Sequence, residues 1–364
     1  MVDLKADQLG LAEASQGKNM RDAARVGASF AVAGVILGGL GLPTLATAQG
    51  ACRDGYETAR CPLSVAVATA PIAPLFAPTG WKTVALDHVT IAVANPQTEA
   101  AFYTALMGWR LRSHDSSRAV MDVGRWGSVV LEQEPGLPAA VVRGFSFVIS
   151  PWNAQAVQRA LKDRGLSPVR DDDGKGFQSF HVKDPDGFDI QIGNSRGLAK
   201  GRNGPGTSSP AAPAPFRPTG WQSVWLDHLS FRVTDYKRSA SFYENLLGWA
   251  PTYDEGSQME LIIGDVGDII IRGGNPKNPA FKRSGQPAVL DHISIGIAPW
   301  DTDAVRAELE QRSLPVRVDT STKDEIHVAA YKSYHTRTPN GFDLQISYVT
   351  QANRLALPNA VKPK

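Results

Sequence analysis

The feature that most constrains this chain is that it is written twice. Pro78-Thr79-Gly80-Trp81, running on to Leu86-Asp87-His88, returns 140 residues later as Pro218-Thr219-Gly220-Trp221 and Leu226-Asp227-His228. At the same offset Phe102-Tyr103 with Gly108-Trp109 becomes Phe242-Tyr243 with Gly248-Trp249. Pro151-Trp152 recurs as Pro299-Trp300, and Phe188-Asp189-Ile190-Gln191-Ile192 as Phe342-Asp343-Leu344-Gln345-Ile346. A duplication of this length means two copies of one design rather than a single 364-residue core.

Composition shifts mark the borders. Gly197 to Pro215 is rich in Gly, Ser, Pro and Ala and reads as a flexible linker. Near the N-terminus, polar residues with Lys18, Arg21 and Arg25 precede an apolar run from Ala28 to Leu45, which ends in Ala46-Thr47-Ala48. That is the pattern of a cleaved export signal. A single membrane anchor is the competing reading, but the apolar core of about 17 residues sits at the lower edge of bilayer-spanning length. The expected organisation is a signal peptide over 1–48, an N-terminal tail over 49–79, a first domain over 80–195, a linker over 196–219, a second domain over 220–350 and a C-terminal tail over 351–364. Export predicts a periplasmic or secreted protein with no stable membrane insertion after cleavage. It also gives Cys52 and Cys61 an oxidising compartment in which to close a small disulfide loop; two idle thiols are the alternative.

The charges nearly cancel, 38 Lys+Arg against 36 Asp+Glu, which argues against an electrostatic nucleic-acid binder. The two cysteines cannot build a Cys-rich zinc site, so any metal must be held by His, carboxylate or amide groups.

Within each copy strand and helix signals alternate. Val84 to Val93 is β-rich; Asn95-Pro96 supplies an N-cap and a proline at the first helical position; a helix follows to Met107 and stops at Gly108. Strands are expected at 118–123, 128–133, 144–149, 178–183 and 188–193, with a helix over 153–164. Each copy is therefore a pair of β-α-β-β-β units, and the fold class is α+β. Strand parity puts Phe342, Leu344 and Ile346 on one face and Asp343, Gln345 and Ser347 on the other. Leu229, Phe231 and Val233 likewise oppose His228, Ser230 and Arg232. An apolar face for the helices and a polar face lining a concavity would suit a small-molecule site.

The element order, the helix endings FYTALMGW and FYENLLGW, and the closing DPDGFDIQI and TPNGFDLQI resemble the vicinal oxygen chelate superfamily, the group of glyoxalase I, bleomycin-resistance proteins and type I extradiol dioxygenases. The resemblance implies two tandem domains of paired βαβββ modules, each forming a cupped mixed sheet around a small-molecule substrate and a divalent metal, with Fe(II), Mn and Zn as candidates. Four modules in one chain resemble the extradiol dioxygenases, whose C-terminal domain holds the metal with two histidines and a glutamate. Carried onto this chain, those positions are His228, His292 and Gln345. His327 occupies the family's histidine position and His335 its tyrosine position, making both candidate acid–base groups; Tyr334 stands beside the latter. Arg232 and Arg272 are candidates to hold an anionic substrate group. In the first copy His88 matches His228, Gly144 replaces the second histidine and Gln191 holds the last position, so that domain is expected to be inactive.

Gln345 departs from the dioxygenase pattern, because an amide oxygen is neutral and a weaker donor than a carboxylate. Asp343, on the same face, lies about 6–7 Å further along the strand. The expected function is an exported, metal-dependent, dioxygenase-like enzyme acting on a small oxygenated aromatic. A binding or sequestering protein of bleomycin-resistance type and a glyoxalase-like lyase or isomerase are the alternatives, and homo-oligomerisation stays open.

Overall fold

The computed structural model describes residues 73–124, 126–196, 210–254, 258–264, 266–273, 288–319, 325–329 and 331–350. The expected signal segment, the cysteine-bearing part of the tail, linker residues 197–209 and the tail from 351 lie outside the described residues.

The first domain runs β1 (Lys82–Val93), α1 (Pro96–Met107), β2 (Arg110–His114), β3 (Arg118–Val123), β4 (Gly127–Gln133), β5 (Val141–Ser150), α2 (Ala154–Lys162), β6 (Val169–Asp172), β7 (Gln178–Lys183) and β8 (Asp189–Gly193). The second repeats it as β9 (Gln222–Arg232), α3 (Tyr236–Leu247), β10 (Ala250–Asp254), β11 (Gln258–Ile262), β12 (Gly267–Arg272), β13 (Val289–Ala298), α4 (Thr302–Gln311), β14 (Arg317–Val318), a 3-10 turn (Glu325–His327), β15 (Ser333–Arg337) and β16 (Asp343–Ser347). Each domain is one mixed eight-stranded sheet, ordered β2-β3-β4-β1-β5-β8-β7-β6 and β10-β11-β12-β9-β13-β16-β15-β14. The α+β expectation holds. The sequence pattern did not resolve β2 and β6, which are the sheet edges; β6 is exposed along its length and has no buried face to generate alternation.

Local chemistry sets the helix ends. The Asn95 side chain accepts from the Thr98 amide, Pro96 opens α1, and Gly108 closes it in the left-handed region at φ 66°. Asp235 and Gly248 do the same for α3, Gly248 at φ 69°. These glycines have a second reason. A Cβ at Gly248 would lie 2.2 Å from the Trp81 carbonyl oxygen, and one at Gly108 2.7 Å from that of Trp221.

The domains thus exchange their entry segments. Thr79 Oγ1 donates to Leu246 O at 2.8 Å, and Thr219 Oγ1 to Leu106 O at 2.7 Å, so each segment satisfies a terminal carbonyl on the other domain's first helix. Trp249 Nε1 donates to Thr83 Oγ1 and Trp109 Nε1 to Ser223 Oγ. The repeated Pro-Thr-Gly-Trp and Gly-Trp motifs are the two sides of this exchange. Behind it the apolar faces of the two sheets meet through aromatic pairs, Phe145 with Phe231, Phe147 with Trp249 and Trp126 with Trp225 at ring separations of 5.2, 5.0 and 4.7 Å. Burial of each such ring contributes about 1.5–3 kcal/mol. With the apolar faces committed there, the polar residues collect on the opposite face.

Candidate functional site

Strand pairing lays out the polar face of the second sheet in rows. Asp268, His228, Ser294, Gln345, His335 and Arg317 are successive cross-strand neighbours on β12, β9, β13, β16, β15 and β14. One row along stand Ser230, His292, Asp343 and Arg337. In the first sheet the matching row is Ser128, His88, Ser146, Gln191 and His181, and Gly144 takes the place of His292.

His228 and His292 are fully buried, and their Nε2 atoms face each other at 3.0 Å. His335 continues the row, the three imidazoles meeting edge to face with ring centroids 5.2 and 5.0 Å apart. Each of the first two histidines follows an aspartate at a β-bulge. The pairing of β9 with β13 skips Asp227 and Asp291, so both carboxylates turn to the same face as the imidazoles. Asp291 Oδ1 lies 3.2 Å from His292 Nδ1, and Asp227 Oδ2 lies 3.6 Å from His228 Nδ1. The Asp291 carboxylate behind Nδ1 of His292 favours the proton there and leaves the Nε2 lone pair of that ring forward.

The electrostatics separate the histidines. Burial pulls the His292 pKa down to about 3, against the opposing pull of Asp291, so this ring is neutral at physiological pH. Burial also works to lower His335, but Asp319 at 2.8 Å from Nε2 and Asp343 at 2.6 Å from Nδ1 outweigh it and raise the pKa. Asp319 and Asp343 are held low in turn, the His335 partnership overcoming burial in both. Asp291 is held well below the usual carboxylate range by His292, Arg272 and Arg232, despite burial.

Gln345 Nε2 shares its two hydrogens among Asp319 Oδ2, Ser333 Oγ at 2.8 Å and Tyr331 OH at 2.9 Å. Its Oε1 is buried without a hydrogen-bond partner. Two nitrogens about 3 Å apart match donors at about 2.1 Å on neighbouring positions of one cation, and an unpartnered amide oxygen adds a third donor. The donor set fits a divalent ion. Among the described residues no three His, Cys, Asp or Glu side chains form such a group, so the amide is the third donor on offer.

Four expected site residues lie elsewhere or are occupied. Tyr334 is a correction: one residue before His335 on β15, it points to the opposite face, stacks on Trp300 and donates to Thr302 O. His327 is half-exposed, with Nε2 3.5 Å from Asp303 at the start of α4, away from the three buried imidazoles. Arg232 and Arg272 both reach Asp291 Oδ2 at 2.6 Å, so their charge is directed to a protein carboxylate. Asp343, the alternative carboxylate, is taken up by His335. The sequence reading missed Asp227, Asp291, Asp319 and Tyr331. Leu-Asp-His, present at 86–88, 226–228 and 290–292, was the available signal for the first two.

A family model described as Glyoxalase/Bleomycin resistance protein/Dioxygenase superfamily matches residues 85–192 and 225–343. Among solved structures, the fold is similar to a Mn(II)-bound glyoxalase from Novosphingobium aromaticivorans (TM-score 0.53, 15% identity, 73% of this chain and 82% of that one). It is similar also to the 2,3-dioxygenase LapB from Pseudomonas sp. KL28 (0.53, 14%, 73% and 92%). A third likeness is to homoprotocatechuate 2,3-dioxygenase from Arthrobacter globiformis (0.52, 18%, 76% and 82%). No curated protein matches the sequence. At these identities the structural likeness speaks for the fold alone. With the family model covering more than half of its residues, both repeats included, this chain belongs to the glyoxalase/bleomycin resistance protein/dioxygenase superfamily.

Proposed function

We propose that this protein is a metal-dependent enzyme of dioxygenase type, acting on a small aromatic substrate with two neighbouring oxygens and working outside the cytoplasm after loss of the 1–48 segment. The observation that carries the reading is the pair of buried imidazoles, His228 and His292, whose Nε2 atoms converge at 3.0 Å. They and Gln345 Oε1 would hold the ion. A bound divalent cation supplies Lewis-acid polarisation of adjacent substrate oxygens. His292 stays neutral through burial and keeps its lone pair available. His335, whose pKa Asp319 and Asp343 raise against burial, stands beside His292 and is placed to hold or pass a proton at the site. The Mn(II)-bound glyoxalase and the 2,3-dioxygenase among the similar folds support a divalent metal and a small-molecule substrate.

A second reading, a binding protein without turnover, is favoured by one observation. The Gln345–Ser333–Asp319 network has a counterpart in Gln191, Ser179 and Asp171 of the first domain, where Gly144 stands in place of His292. In that reading the glutamine serves the sheet rather than a metal.

Metal analysis of the purified mature protein with His292→Ala alongside, and oxygen uptake with a panel of catechols, tests the first reading. Stoichiometric divalent metal that is lost in the variant, with turnover, is expected. A wild-type protein that retains no Fe(II), Mn(II) or Zn(II) when these are supplied overturns it. Thermal stabilisation by a catechol in the presence of chelator, without turnover, favours the second. N-terminal sequencing of exported protein checks cleavage near Ala48.

A further inference from the structure

The two domains contain an internal comparison. In the first, the bulged Asp87 meets Nδ1 of His88 directly, at 2.7 Å. In the second, the same bulge produces Asp227 and His228, yet the corresponding distance is 3.6 Å, beyond hydrogen-bond reach. His228 Nδ1 is buried and has no hydrogen-bond partner.

The hydroxyls around the aspartate differ between the copies. Asp227 Oδ2, the oxygen nearest His228, accepts from Tyr331 OH at 2.6 Å and from Ser294 Oγ at 2.8 Å. Ser294 has a counterpart in Ser146, the strand partner of His88, but Ser146 Oγ is buried and makes no hydrogen bond. Tyr331 has no such counterpart. With His335 aligned on His181 and Ser333 on Ser179 by their pairing to the last strand, Tyr331 falls at the position of Phe177, which has no hydroxyl. The direction of the phenolic proton is also set. A carboxylate oxygen accepts, so the phenol's own hydrogen goes to Asp227, and Gln345 Nε2 lies 2.9 Å from the phenolic oxygen on its other side.

We infer that Tyr331 is a positioning residue whose hydroxyl draws Asp227 away from His228 and so sets how strongly that imidazole is backed by its carboxylate. Its functional consequence rests on the metal reading above: a carboxylate hydrogen-bonded to a ligating histidine raises the basicity of the ring, and such partners typically change metal affinity by about 10–100-fold. The Tyr331 hydroxyl therefore weakens His228 as a donor relative to a fully backed histidine. Removing it leaves Ser294 as the remaining hydroxyl donor to Oδ2 and lets Asp227 move toward Nδ1, the arrangement that Asp87 and His88 already show. Gln345 keeps Ser333 and Asp319 as acceptors.

The test is Tyr331→Phe in the full-length protein, read first without metal by the ring nitrogen and Nδ1–H resonances of His228. A downfield Nδ1–H shift is expected in Tyr331→Phe and is expected to be absent from the Asp227→Asn/Tyr331→Phe double variant. The second reading is Mn(II) affinity by calorimetry, where Tyr331→Phe is expected to lower Kd about tenfold and the double variant is not. Unchanged His228 resonances in Tyr331→Phe overturn the inference, even if Mn(II) still binds. The expected ring shift in a protein that takes up no Mn(II) sustains the positioning role and removes the metal reading instead. Should Tyr331→Phe fold poorly, Ser294→Ala removes the other donor to the same oxygen; a smaller shift in the same direction is expected, and none overturns the inference.

Discussion

Tyr243, on the first helix of the second domain, donates its phenolic proton to Asp184 in the closing turn of the first domain at 2.7 Å, and both groups are buried. The reciprocal contact reverses the chemistry. There the helix of the first domain supplies the carboxylate, Glu99, and the turn of the second supplies the donors, Thr338 Oγ1 at 2.8 Å and the Asn340 amide at 2.7 Å. Each closing turn therefore docks on the other domain's first helix through one buried carboxylate, and this pair of contacts helps to hold the tandem together.

Asp184 makes that docking pH-sensitive. Burial raises its pKa from 3.8 to about 6, against the lowering by Tyr243. The folded state therefore binds the proton more readily than the unfolded chain, and stability from this group is greatest below its unfolded value and falls as pH rises through about 6. The linked difference is of order 2–3 kcal/mol between the two limits. Thermal melts from pH 4 to 8 should show Asp184→Asn, which retains an acceptor for Tyr243, with a flatter profile than wild type. Identical slopes would remove Asp184 as the cause.

Glu99 should be costly to truncate. Glu99→Ala leaves the Asn340 amide without its acceptor in a buried contact and should destabilise by about 1–3 kcal/mol. Glu99→Gln keeps an acceptor and should cost less. Denaturant unfolding of both, combined with Thr338→Val, should reveal coupling between the two positions, whereas strict additivity would argue that the contact contributes nothing.

Gly248 and Gly80 share positive φ but differ in surroundings: a Cβ at Gly248 meets the Trp81 carbonyl at 2.2 Å, while one at Gly80 meets nothing within 4 Å. Gly80→Ala should cost only the backbone strain, about 1 kcal/mol. Gly248→Ala should cost about 3 kcal/mol or more, because the exchanged entry segment must move as well. Equal melting temperatures for the two variants would contradict the close approach.

Gln345→Glu separates the two roles of this amide. The substitution sets a carboxylate oxygen where Nε2 now donates to Asp319, which is held ionised by His335. The metal-free variant should melt below wild type, and added Mn(II) should raise its melting temperature more than it raises that of wild type. Differential scanning with and without EDTA reads both. A metal-free variant as stable as wild type would mean that the Nε2 donor contacts carry no weight.

Much of this protein is local and was legible in the chain. The duplication, the Asn95 and Gly108 caps of α1, and the alternation that sorts Phe342, Leu344 and Ile346 from Asp343, Gln345 and Ser347 all depend on near neighbours and on a period of two or 3.6. The same alternation set His228 opposite Leu229 and Phe231, whereas His292 and His335 were named by the family resemblance alone. Two kinds of information were decided only by tertiary structure. One is the bulge, which breaks the period by a single residue and turns Asp227 and Asp291 inward, because cross-strand pairing rather than sequence chooses where the extra residue sits. The other is long-range partnership: Tyr331 reaches Asp227 across 104 positions, while Tyr334, closer to His335 in the chain, faces away. Side chains distant in sequence meet because folding closes the sheet, and the oxygen each one finds is set by packing that no local pattern encodes.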